Sequence, residues 1–180
     1  MLNRSVLELV SSGFMYVAGR DKCLRPIIIL KSKIIQSMSP LPSGEDIIAS
    51  TLLIFEYVKH FMESPGHVEN INLIIDSKGA NVMTIPYKLI SQIVGVIPQN
   101  YKCIARAIYI LNAPYVFAMA WKSITYLLDE NTSRKIQISS GNTNENLLKQ
   151  IAPNQLEHQF GGNAKDREMG EYWPPRLPDT

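Results

Sequence analysis

The chain has 180 residues, 46% hydrophobic and 19% charged, and its 18 Lys plus Arg exceed its 16 Asp plus Glu by only two. That size suits one domain with a short appendage, and that composition excludes a disordered chain, which needs low hydrophobicity and high net charge. So even a charge balance gives no ground for a nucleic-acid partner, and two cysteines, Cys23 and Cys103, are too few for a disulfide framework and suit a reducing compartment.

From the N-terminus, Met1 to Glu8 places Glu8 where a secretory leader needs an unbroken apolar core. The longest weakly charged stretch, Ala107 to Trp121, is interrupted by Pro114 and falls short of the about 20 residues of a spanning helix. A cytoplasmic protein is expected, able to sit on a membrane surface.

Four runs are apolar at consecutive positions: Pro26–Leu30, Ile71–Ile75, Ala107–Leu111 and the shorter Ile136–Ile138. Such runs mark strands covered on both faces, as in a largely parallel sheet. Between the first two, Glu45 to Glu63 carries Ile47, Ile48, Leu52, Phe55, Val58, Phe61 and Met62 at helical spacing. Its entrance is expected at Ser43 or Gly44 and its end before Pro65-Gly66. Thr84–Val96, with Pro86 in its first turn, reads as a second helix, Tyr115–Leu128 as a third, and Thr143–Ile151 as a fourth that stops before Pro153. Strand and helix in alternation predict a three-layer α/β/α domain with a largely parallel sheet. From Asn163 to Thr180 the chain is polar, without apolar periodicity, and carries Trp173-Pro174-Pro175; a surface tail is expected, able to offer a proline-rich ligand to a partner protein.

Catalytic signatures are missing. No Gly-rich phosphate loop follows a strand, His60, His67 and His158 lack partners at metal-ligand spacing, and Ser77 has no histidine near it in sequence. The reading is a binding protein without cofactor or metal, not an enzyme. His60 falls on the polar side of its helix and should face solvent. Asp76 and Asn112 end two strands, where open α/β sheets collect ligands. Each also has a structural reading: Asp76 capping the turn that runs to Gly79, and Asn112 capping the helix that follows.

The 115–128 segment holds one charge, Lys122, and is apolar around most of its circumference, with Phe117, Trp121, Ile124 and Leu128 on one face. Such a helix is buried in the core or meets something apolar outside its own chain.

Here the sequence resembles the CRAL-TRIO lipid-binding family. Gly19-Arg20-Asp21-Lys22-Cys23-Leu24-Arg25-Pro26 matches its G-x-D-x-x-x-R-P opening, and Ile74-Ile75-Asp76-Ser77-Lys78-Gly79 is similar to its strand ending in Asp and Gly. Ile108 to Pro114 resembles its Asn-Ala-Pro strand end; Leu128 to Ile136 and then Phe160-Gly161-Gly162 complete the set. The resemblance implies residues 1–162 as a lipid-binding domain and 163–180 as its tail. It implies a sheet flooring an apolar pocket under a mobile gate helix at 115–128, with Ile71, Leu73, Tyr109, Leu111, Phe117, Trp121, Ile124, Leu127 and Leu128 around the ligand. Thr132 and Lys135 match the head-group residues of phosphatidylinositol binders. Three departures qualify it. Cys103 replaces an acidic head-group residue, Ile71 and Leu73 stand where choline-lipid binders place hydroxyls, and only Leu2–Tyr16 stands in place of the usual N-terminal helical bundle. The implied function is to carry or present a phospholipid such as a phosphoinositide, or another lipophile, at membranes. Two rivals stay open: a STAS-like protein-interaction module resting on Ser77, and a degenerate lipid domain serving as scaffold.

Overall fold

A computed structural model describes residues 3–81, 101, 104–117, 121 and 130–176. Five strands lie side by side in chain order: β1 (Met15–Arg20), β2 (Pro26–Lys31), β3 (Ile71–Asp76), β4 (Ala105–Leu111) and β5 (Ile136–Ile138). The first pair is antiparallel and the other three are parallel. The four expected strands are present; β1 is an addition, since its Ala-Gly-containing edge sequence has no continuous branched run. The expected helix between the 84 and 96 positions lies outside the described residues.

The helices follow local signals. Helix α1 (Arg4–Ser12) starts at Asn3, whose side chain accepts from the Ser5 N–H, and ends at Gly13 with φ +79°, the left-handed geometry glycine supplies without a Cβ clash. A short α2 (Ser32–Ser37) leads to α3 (Gly44–Phe61). There the Ser43 hydroxyl accepts from the Asp46 N–H at 3.0 Å and donates to its carboxylate at 2.8 Å, satisfying first-turn donors that would otherwise be orphaned. His60 is exposed, as expected, and faces Glu56 one turn back at 3.1 Å. After β4 come α4 (Glu130–Arg134) and α5 (Glu145–Gln150), the latter capped by Asn144.

Each strand sends alternate side chains to opposite faces, and the two faces have different covers. On one, Val17, Ile28 and Ile71 pack with Leu9 and Val10 of α1 and with Ile47, Ile54, Phe55 and Val58 of α3. On the other, Tyr16, Ala18, Ile27, Ile29, Ile74, Tyr109 and Leu111 pack with Leu147, Ile151, Leu156 and Phe160. Helical cover on both faces gives the α/β class expected from the alternation.

The β1–β2 connection explains the G-x-D-x-x-x-R-P sequence in physical terms. Gly19 passes so close to the 153–155 turn that a Cβ would stand 2.7 Å from the Gln155 carbonyl oxygen. Asp21 is 5% exposed. Its Oδ1 accepts from the Cys23 and Arg25 N–H groups at 2.8 and 2.9 Å, and its Oδ2 from Arg25 Nη1 at 3.2 Å and Asn72 Nδ2 at 2.8 Å. A buried carboxylate is tolerated only when so fully paired. Asp21→Asn keeps the oxygen that serves the backbone but loses the charge facing Arg25, and should lower stability by about 2 kcal/mol, read as a shift of the urea midpoint without a change in slope.

The C-terminal segment departs from the expected surface tail. Residues 163–176 run across the edge strand as a strap. Tyr172 is buried, its ring 4.9 Å from that of Tyr16 and packed over Gly13, and its hydroxyl donates to the Arg167 carbonyl at 2.9 Å. Trp173 passes to the other side of the sheet and meets Tyr57 of α3 at 5.6 Å. Arg167 donates to the Ala18 carbonyl of β1 at 3.1 Å, occupying a backbone group that an edge strand would otherwise present to solvent. Two aromatic anchors hold a segment whose composition alone reads as solvated.

Candidate ligand site

Backbone pairing decides which side chains share a surface. In the β3–β4 pair, Leu73 stands opposite Ile108 and Ile75 opposite Ile110; in the β4–β5 pair, Ile108 stands opposite Ile136. These isoleucines and Leu73 therefore form one apolar floor. Leu73, Ile75, Ile108 and Ile136 are only partly buried, in contrast to the fully buried Ile27, Ile28 and Ile29 of β2. Phe117 is buried on Ile110 and Ala113, with Ile75, Ile108, Ile136 and Trp121 packed against that cluster. The Phe117 and Trp121 rings stack at 5.7 Å with 24° between planes, consistent with helical neighbours four apart.

The expected site residues divide accordingly. Phe117 and Trp121 form this floor's aromatic cover, while Leu73 shares the floor's register but packs against the α1 and α3 residues. Ile71 shares the Leu73 parity but is buried at the α3 end, against α3 and α1 residues. Tyr109 and Leu111 do not join them: their parity sends them to the opposite face, among Leu147, Leu156 and Phe160. Burial raises the Tyr109 hydroxyl pKa, and its oxygen is buried without a partner among the described residues. In their place the floor takes Ile75, Ile108, Ile110 and Ile136, which alternation from Leu73 combined with the β3–β4 register identifies. Ile124, Leu127 and Leu128 lie outside the described residues, as does Cys103.

Thr132 lies in α4 and Lys135 at its exit into β5, both partly exposed. The Lys135 N–H donates to the Thr132 carbonyl at 3.1 Å and its own carbonyl accepts from Ile108 at 3.0 Å. The backbone thus holds both residues beside the floor's β4–β5 margin.

The strand ends carry a separate polar joint. The Asn112 side chain donates to Asp76 Oδ1 at 2.8 Å, the Lys78 N–H donates to the same oxygen at 2.9 Å, and Gly79 takes φ +66°. Asp76 caps its turn as expected. Asn112 differs: with φ +54°, its amide ties β4 to β3 instead of capping the next helix. Ser77 is 4% exposed, which leaves no accessible hydroxyl for a partner-binding switch. Among the described residues no helix is long and apolar enough to cross a membrane, and no cluster of ligating side chains could hold a metal.

Comparison with known proteins follows this geometry. A sequence profile described as CRAL/TRIO domain matches residues 10–162. The Sec14 cytosolic factor of Schizosaccharomyces pombe is 32% identical over 123 residues, 63% of this chain and 43% of that protein. The phosphatidylinositol/phosphatidylcholine transfer protein SFH9 of Arabidopsis thaliana is 28% identical over 107 residues, 58% of this chain and 18% of that protein. The SEC14 cytosolic factor of Yarrowia lipolytica is 28% identical over 181 residues, 91% of this chain and 36% of its own length. The chain thus spans less than half the length of these relatives. Among solved structures, that of Sfh5 superposes with a TM-score of 0.64 at 13% identity, covering 78% of this chain and 50% of that one, a likeness of fold.

Proposed function

Because the chain belongs to the CRAL/TRIO domain family, whose profile spans most of it, we propose that it binds the acyl part of a phospholipid between the β3–β5 floor and the segment that begins with Phe117 and Trp121, and carries or presents that lipid at membranes. The observation that supports this is the half-open apolar floor: Ile75, Ile108 and Ile136 stay partly uncovered in the cluster that the Phe117–Trp121 stack covers. Apolar side chains left this way gain from an apolar occupant.

Burying one methylene is worth about 0.8 kcal/mol, so a sixteen-carbon tail gains roughly 12 kcal/mol on leaving water. A bilayer offers the tail nearly the same environment, so acyl burial keeps the lipid dry without choosing between protein and membrane. Selection falls to the head group. Thr132 and Lys135 are the residues for an inositol phospholipid. The protein works in the cytoplasm, touching membranes transiently and using no cofactor.

Native mass spectrometry of protein purified from eukaryotic cells tests this. An added mass of several hundred daltons that extracts as an inositol phospholipid is expected, and Lys135→Gln should cut its share roughly tenfold, the loss of one charge-assisted contact. Protein that carries no lipid, and takes none from vesicles containing phosphatidylinositol, would leave the scaffold reading in place of this one.

A further inference from the structure

Glu157 is 2% exposed, and nothing in the lipid site uses it. Its Oε2 accepts from the Tyr16 hydroxyl at 3.0 Å and from the Gln159 side-chain amide, while its Oε1 is buried without a hydrogen-bond partner among the described residues. An orphaned buried oxygen of this kind costs free energy, and far more if it carries charge. The groups around it come from every element that packs there. Tyr16 is on β1. On β2, the Lys31 ammonium stands 5.3 Å from the Tyr16 ring centre and 5.8 Å from that of Tyr172. His158, next in the chain, is exposed. From the strap come Asp166, whose carboxylate accepts from the Gln159 N–H at 2.9 Å, Arg167, engaged with the Ala18 and Arg176 carbonyls, and Tyr172 itself.

The same residue is where the strap is fastened. Glu157 forms a bridge with Ala164, the His158 N–H donates to the Ala164 carbonyl at 3.0 Å, and the Ala164 N–H to Leu156 at 2.9 Å. Tyr172 closes over Tyr16, the donor to Glu157. Hydrating Glu157 therefore requires the strap to lift. We propose that Glu157 is a proton-operated catch: with a proton on Oε1 the strap stays seated across β1, and loss of that proton to solvent frees residues 163–176 while the sheet remains folded.

Burial is the largest influence on this carboxyl and raises its pKa, against the Tyr16 hydrogen bond and the Lys31 charge, which lower it. A carboxyl with a higher pKa in the seated than in the open state holds the strap fully below the ordinary carboxylate range. It loses that contribution as pH climbs through the raised value.

Hydrogen–deuterium exchange over residues 163–176, compared between wild type and Glu157→Gln from about pH 5 to pH 8, removes the intrinsic pH dependence of exchange. The wild-type to variant ratio should rise about tenfold for each unit by which the seated carboxyl is raised, with β2 and β3 amides unchanged. Tyr16→Phe, which removes a donor to the anion and keeps the burial, should move the midpoint to higher pH. A flat ratio, or a pH dependence that survives in Glu157→Gln and disappears in His158→Gln or Asp166→Asn, overturns the proposal. Should Glu157→Gln fail to fold, the Tyr16→Phe midpoint decides: no shift rejects the catch.

Discussion

Replacing Ile108 by Trp is expected to strip bound lipid from the purified protein while leaving its melting temperature equal to that of delipidated wild type. Ile108 sits on the β4 part of the floor, opposite Leu73 and Ile136, and is only partly buried. Above a hollow, the indole occupies the volume of the acyl chain. In a solid core the same change overpacks and costs about 1–3 kcal/mol. Lipid extraction with calorimetry on one preparation separates the two: lost lipid with the transition of delipidated wild type supports an open floor, and a transition below that of delipidated wild type places packed side chains there instead. Phospholipid transfer between vesicles should fall more than tenfold in the first case.

Gly162→Ala is expected to be the most damaging single change to the fold. The Gly162 N–H donates to the Glu157 carbonyl at 3.1 Å, which draws its Cα against Leu156. A Cβ there would fall inside the van der Waals shells of the Leu156 carbonyl oxygen and carbon, and backbone cannot give way as a side-chain tip can. Leu156 is fully buried among Leu111, Leu147 and Phe160, so displacement spreads into that face. A loss of about 4 kcal/mol is in keeping with severe core strain. For a chain of this size that corresponds to a fall of roughly 10–15 °C in Tm, measured by calorimetry.

Legibility differed from element to element for identifiable reasons. β2, β3, β4 and β5 announce themselves because strands covered on both faces need apolar residues at consecutive positions. That same continuity hides parity: nothing in Ala107–Leu111 says which residues share the face of Phe117, and only pairing with β3 separates Ile108 and Ile110 from Tyr109 and Leu111. β1 carries no strand signature because Met15–Arg20 includes Ala18 and Gly19, the latter required by the close approach of the 153–155 turn. The strap was unreadable for another reason: Tyr172 and Trp173 act as single anchors, and isolated anchors have no period. The G-x-D-x-x-x-R-P pattern is explicit in the sequence, yet its purpose, four hydrogen bonds converging on Asp21, is a matter of folding that only the structure displays.

The Tyr16 to Glu157 hydrogen bond joins residues 141 positions apart, and the Arg167 to Ala18 contact joins residues 149 apart. A ribosome adding about 5–20 residues per second needs roughly seven to thirty seconds to traverse that interval. Throughout it the nascent amino-terminal hairpin can pair with β3 and collect α3, yet its outer margin waits uncovered for a carboxy-terminal segment that has not been made. The hazard of mispairing with another chain is therefore concentrated in synthesis, and the emergence of residues 163–176 is the step that seals it.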